Sequence, residues 1–141
     1  MTNAICNSTV MRDAITGITD AISRMDHELL RTWLDDEAVM EFPYAFGDMP
    51  ARYEGVDAIL SAMSIISQMF VSFTLTPVNF YSSPDTNSMI VEAVSNGVRS
   101  NGSDYDNRYI ILFSFKGEKV VMWREFFNPL KLPEAVTDNN S

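Results

Sequence analysis

Hydrophobic positions recur at helical spacing in the first half of the chain and alternate in the second. Val10, Ala14, Ile18, Ala21, Ile22 and Met25 fall on one helical stripe, and Asn7, Ser8 and Thr9 ahead of them offer N-cap oxygens. Asp26 stands where it can cap a second, shorter helix with Leu29, Leu30, Trp33 and Leu34 on its apolar face. The acidic run Asp35, Asp36, Glu37 reads as a solvated turn rather than a metal site, because runs of like charge usually stay in water. Residues 38–42 predict a short strand. The segment PYAFGDMPARYEG, residues 43–55, holds two prolines and two glycines, so it leaves regular structure and suits a lid or a cavity mouth. Asp57 lies at the start of a third helix. Val56, Ile59, Leu60, Met63 and Ile66 mark its buried stripe, with Met69 and Phe70 near its end.

From residue 71 the period becomes two. Val71, Phe73 and Leu75 alternate, Pro77 interrupts, and Val78 and Phe80 resume in the opposite phase, which predicts a bulge or an edge strand. Residues 82–88 form a turn and 89–98 a strand. Residues 99–104, with Asn101-Gly102, form a hairpin connection to a strand over 105–116. Gly117-Glu118 makes a tight turn into the last strand, 119–127, and residues 133–141 are a polar tail expected to fray. Helices gathered ahead of a strand meander mean an α+β fold. Three N-terminal helices packed on a strongly curved antiparallel sheet would enclose a pocket, with the last strand in its wall.

That last strand carries the most informative residue. Val121, Trp123, Glu125 and Phe127 share one face by strand alternation. An acid between Trp123 and Phe127 is costly to bury unless it is paired or protonated. It is either a structural partner of Arg108 or Arg124, although Arg124 should point the other way, or a group with a raised pKa suited to proton transfer.

Composition narrows the setting. A chain of 141 residues is expected to form one domain over 1–141. The 9 Phe, 5 Tyr, 2 Trp and 9 Met supply either an adaptable apolar pocket or simply a Met-rich core. With 10 basic and 19 acidic residues the net charge is −9, which argues against nucleic acid, against anionic membrane surfaces and against anionic substrates. Cys6 and His27 are each the sole residue of their type, so no intramolecular disulfide and no zinc site is expected, and a Cys–His pair would need these two to meet. No glycine-rich phosphate loop is present, so no nucleotide cofactor is expected. The N-terminus lacks a charged segment followed by an apolar run, and no apolar stretch is long enough to span a bilayer; a cytoplasmic protein is the expectation.

Four segments carry a family resemblance: FPYAFGDMPARYEG (42–55), IVEAVSNG (90–97), Asn107-Arg108-Tyr109, and the GEKVVMWREFFNP segment (117–129). Together they resemble the NTF2-like (cystatin-like cone) superfamily, in the branch of SnoaL-like polyketide cyclases and PhzA/PhzB-like proteins. The resemblance spans most of residues 42–132. It implies helices packed into a curved antiparallel sheet, a homodimer pairing through the sheets, and a ligand site inside the cone. It implies chemistry with no metal or organic cofactor: isomerisation, cyclisation, dehydration or condensation of small ketones and polyketide-like molecules. The acid–base group of the PhzA/PhzB-like REF segment maps onto Glu125. The chain departs from the pattern at two places. The PhzA/PhzB-like histidine of the long helix is replaced by Ala62. The ketosteroid isomerase base, just before a proline after the first short strand, is replaced by Phe42 before Pro43, with Glu41 one residue earlier on the opposite face.

The candidate catalytic residues are therefore Glu125, Tyr44 and Asn107. Tyr44 and Tyr109 are either donors to a substrate carbonyl or enolate or wall aromatics. Asn107 shares strand parity with Tyr109, so it either orients substrate or Glu125, or makes a strand-start contact. Asp48 in the mouth loop is a second acid or a turn residue. Phe42, Phe46, Met63, Trp123 and Phe127, with Tyr109, are the expected substrate walls. Glu92 reads as an ion-pair or interface residue. The expected function is a cofactor-independent isomerase, cyclase or dehydratase acting on a small hydrophobic carbonyl compound. The alternatives are a small-molecule binding module without chemistry and a dimeric interaction domain.

Overall fold

A computed structural model of the chain describes residues 7–132; Cys6 and the polar tail over 133–141 lie outside the described residues. The first stripe forms helix α1, Ser8–Ser23, and Asn7 caps it by accepting a hydrogen bond from the Val10 amide at 2.9 Å. Met11, Ala14, Ile15, Ile18 and Ala21 are its buried face. A β-carbon at Gly17 would come within 2.2 Å of the Trp33 ring, so glycine lets the helix lie directly on that indole.

The second helix is a 3-10 helix, His27–Thr32, not an α-helix, and the Asp26 side chain makes no capping bond. It occupies six of the eight residues between Met25, which takes a positive φ of 56°, and the next strand, the short connecting role in which 3-10 turns are common. Leu34, expected on that helix, instead opens strand β1, Leu34–Glu41. The acidic run is thus part of a strand rather than a turn. It remains solvated because the strand bulges there: Leu34 pairs with Val120 and Val39 with Met122, so the residues between are looped out, with Asp36 and Glu37 exposed.

The loop after β1 contains a short strand, β2 (Arg52–Glu54), antiparallel to β1. Helix α2, Val56–Ser67, follows, burying Val56, Ile59, Leu60, Ala62 and Met63. Four long strands complete the sheet: β3 Phe70–Ser83, β4 Ser88–Arg99, β5 Asp104–Lys116 and β6 Lys119–Phe127. Their order, β2-β1-β6-β5-β4-β3, puts β3 at an edge, and its register with β4 slips between Pro77 and Asn79, as the phase flip at the proline predicts. Every pairing is antiparallel except β1 on β6, so the curled sheet is mixed rather than purely antiparallel. No helix among the described residues is long and apolar enough to cross a membrane.

Two irregularities shape the inner face of the sheet. The register of β5 on β6 shifts between Ser114–Met122 and Phe115–Val120, leaving Val121 as the extra residue. Val120 and Trp123 therefore both point inward and are fully buried, whereas Val121, expected on that face, is only half-buried. On β4, a β-carbon at Gly97 would sit 2.4 Å from the Ser72 carbonyl oxygen, so glycine allows β3 to close onto β4 beside Tyr105.

Candidate active site

Between the inner sheet face and α2 lies a cavity of about 550 Å³, a size that suits a small organic molecule. Strands β5 and β6 contribute Tyr105, Tyr109, Trp123, Glu125 and Phe127, and α2 contributes Ala62, Met63 and Ile66. Phe70, Phe73 and Leu75 of β3 close one side, and Phe42 with Tyr53 the other. The mouth is formed by the loop residues Phe46, Asp48, Met49 and Pro50 facing Ile65, Met69 and Leu132. The fold thus brings Glu125, Tyr109, Trp123, Phe127, Phe42, Phe46, Asp48 and Met63 to one cavity. Ala62, which stands in place of a family histidine, is also on its wall.

Glu125 is the one carboxylate deep in this lining, opposite Ile111 in the β5–β6 register. The cavity admits water, so by area the residue is only half-buried; yet apolar side chains surround its carboxyl group. It pairs with neither Arg108 nor Arg124. Its one hydrogen bond among the described residues comes from the Trp123 indole N–H to Oε1 at 3.1 Å. Loss of hydration pushes its pKa from 4.5 up to about 7, and the indole hydrogen bond pulls weakly the other way. Glu41, one strand away on the outer face, shows the opposite fate. It accepts from Arg124 Nε at 2.8 Å and pairs with Arg52, and the Arg124 hydrogen bond above all holds its carboxyl below the ordinary value.

On the strands beside Glu125 runs a chain of polar side chains, Ser95 of β4 with Tyr109, Asn107 and Tyr105 of β5. Ser95 Oγ and the Tyr109 hydroxyl are 2.8 Å apart, and the Tyr109 and Tyr105 hydroxyls interact in turn. Asn107 Nδ2 donates to the Tyr105 oxygen at 2.7 Å. Burial raises the pKa of both phenols; in Tyr105 the bonds from Asn107 and Tyr109 oppose that rise. The Tyr105 oxygen thus accepts from Asn107, which leaves its O–H proton available to donate.

Two expected catalytic residues are elsewhere. Tyr44 is 56% exposed and packs edge-on against Phe126, on the far side of the sheet, with ring centres 5.6 Å apart. It follows Pro43 beyond the end of β1, where strand alternation no longer governs direction. Asn107 does share the inward face of Tyr109, but it cannot offer a bond to a ligand. Its Nδ2 donates to Tyr105 and to the Asn128 carbonyl, and its Oδ1 accepts from the Arg108 and Asn128 amides, which uses all four positions of the amide. Glu92 makes no ion pair among the described residues; it accepts from Asn79 Nδ2 at 2.8 Å. Among the described residues no three His, Cys, Asp or Glu side chains gather as a metal site. The residues missed from sequence are Tyr105, Tyr53, Phe70 and Phe73. Tyr105 was within reach, since it lies two residues before Asn107 on the same strand face.

No family model matches the chain. An uncharacterised PhzA/B-like protein of Pseudomonas aeruginosa is 31% identical over 110 residues, covering 75% of this chain and 77% of that protein. A solved Bacillus subtilis structure, provisionally described as an isomerase, superposes with a TM-score of 0.82 at 28% identity, covering 92% of this chain and 94% of that one. An NTF2-like protein of unknown function from Burkholderia pseudomallei superposes with a TM-score of 0.80 at 15% identity, covering 93% and 99% of the two chains. With its curled sheet, its enclosed cavity and a PhzA/B-like relative matched over three quarters of its length, the chain belongs to the NTF2-like superfamily, in the PhzA/PhzB-like branch.

Proposed function

We propose that the protein is a cofactor-independent acid–base enzyme of the isomerase, cyclase or dehydratase type, acting on a small, neutral, hydrophobic carbonyl compound. One observation carries this reading: a carboxyl group with no ionic partner among the described residues faces an apolar cavity, where loss of hydration pushes its pKa up to about 7. A base poised there can take a proton α to a carbonyl and, once protonated, return it to another atom of the same molecule. The Trp123 bond occupies Oε1 and leaves the second carboxyl oxygen to the ligand. The negative charge that develops on the carbonyl oxygen falls to the Tyr105 hydroxyl, in the role expected from the sequence of Tyr44, Asn107 and Tyr109.

The test is exchange of α-protons for deuterium in 2-tetralone and related bicyclic ketones, followed by proton NMR in D₂O. The expected result is exchange well above the buffer rate by the native chain, lost at least 100-fold in Glu125→Gln, with ketone affinity kept. If Glu125→Gln exchanges as fast as the native chain, or if neither exceeds buffer while the ketone is bound, the protein is a binding module and the enzymatic reading is wrong.

A further inference from the structure

Arg99, the last residue of β4, is 5% exposed, and no carboxylate forms an ion pair with it among the described residues. Its guanidinium donates only to neutral oxygens: Ser103 Oγ at 3.0 Å, the Asp104 carbonyl at 2.8 Å and the Lys131 carbonyl at 3.0 Å. Its Nε is buried with no hydrogen-bond partner among the described residues. A buried cation with no counter-charge is unfavourable, and truncating such a group to a neutral one normally relieves that cost. The three hydrogen bonds tie the β4–β5 hairpin to the segment after β6, but a neutral donor would serve for that. What uses the charge itself is the aromatic ring beneath it: the guanidinium carbon lies 5.1 Å from the centre of the Tyr105 ring.

We propose that Arg99 is a positioning residue that acts through Tyr105: its unneutralised charge draws electron density from the phenol and makes the hydroxyl a stronger hydrogen-bond donor to a negatively charged oxygen in the cavity. The proposal deepens the functional reading above and rests on Tyr105 as the oxyanion donor. It makes the ligand class more specific, favouring compounds whose bound oxygen becomes an enolate or phenolate. Glu125 from β6 is the opposing charge, raising the pKa of the phenol, whereas Arg99 lowers it after the larger effects of burial and the Asn107 and Tyr109 bonds. Arg99 touches no ligand position itself; it lies behind the ring, away from the cavity lining.

The test reads Tyr105 without any substrate. The full chain is made with 3-fluorotyrosine, and the fluorine signals of its 5 tyrosines are assigned by single Tyr→Phe changes and followed through an alkaline titration. In the native chain Tyr105 should titrate below Tyr109. In Arg99→Met the acid constant of Tyr105 should fall about tenfold, as expected for loss of a close cation from an aromatic face, while Tyr53 barely moves. Arg99→Gln, which keeps two donors but no charge, should behave as Arg99→Met does. A Tyr105 titration unchanged in either variant overturns the proposal, as does an equal shift at Tyr53. Should neither variant fold, the native spectra decide, because a Tyr105 that titrates above Tyr109 also refutes it. Failure of the ketone-exchange test would leave these titrations untouched, so the two ideas fail separately.

Discussion

Glu125→Gln should change how stability depends on pH, in a direction that follows from the raised pKa. In the unfolded chain the carboxyl ionises around 4.5, whereas in the folded chain it holds its proton to about 7. Between those values the folded state binds the extra proton, so raising the pH removes stability. The contribution is full below the unfolded value, declines as the pH rises toward 7, and is gone above it. The displacement corresponds to about 3 kcal/mol in total, of which about 2 kcal/mol falls between pH 5.5 and 8.5, a range that stays clear of the isoelectric point of 4.4. Urea unfolding of the native chain and of Glu125→Gln across that range isolates this group, because the other titrations of an acidic protein cancel in the difference. The native chain should lose about 2 kcal/mol relative to the variant as the pH rises. A difference that stays constant within about 0.5 kcal/mol would mean the carboxyl is solvated or paired, and the argument from desolvation would be refuted.

Two other substitutions test the arrangement around it. Tyr105→Phe should lower kcat for ketone α-proton exchange by about 10²- to 10³-fold, the cost of removing one oxyanion donor, whereas Tyr44→Phe should leave it unchanged; steady-state rates that fall equally in both would restore Tyr44 to the site. Asn107→Leu removes the bonds that tie β5 to the exposed Asn128 amide and carbonyl and takes the Asn107 donor from the buried Tyr105 oxygen, and should cost about 1–3 kcal/mol in chemical unfolding; a loss below about 0.5 kcal/mol would show those bonds to be dispensable.

Much of the fold and part of the site were legible along the chain. Local periodicity fixed α1, α2 and the four long strands, because a period of 3.6 or 2 is imposed by burying one face of an element. The break at Pro77 showed itself because proline cannot donate to a ladder. Glu125 stood out because a charged residue between Trp123 and Phe127 contradicts its own pattern, and such contradictions collect at sites. The family resemblance placed the same residue and the cavity around it. Where strand alternation failed as a guide, the cause lay in pairing rather than in local sequence. The bulge at Val121 exists only in register with Ser114 and Phe115, and it turned Val120 inward in its place. Tyr44 went outward because it lies past the end of its strand. The acidic run became a bulged strand because β6 lies beside it in parallel, a contact between residues far apart in the chain.

What only the tertiary structure decided is which polar groups meet. The sequence alone established an α+β order of elements and one anomalous acid on a strand face, since those follow from periodicity and solvation, while the curvature of the sheet came from the family resemblance. It could not say that Asn107 spends all four hydrogen bonds on the protein, that Tyr105 accepts from Asn107 on the cavity wall, or that Arg99 lies over that ring with no carboxylate partner among the described residues. Those facts depend on β4, β5, β6 and the segment after β6 converging at one place, and hydrogen bonds form only where geometry brings donor and acceptor within about 3 Å.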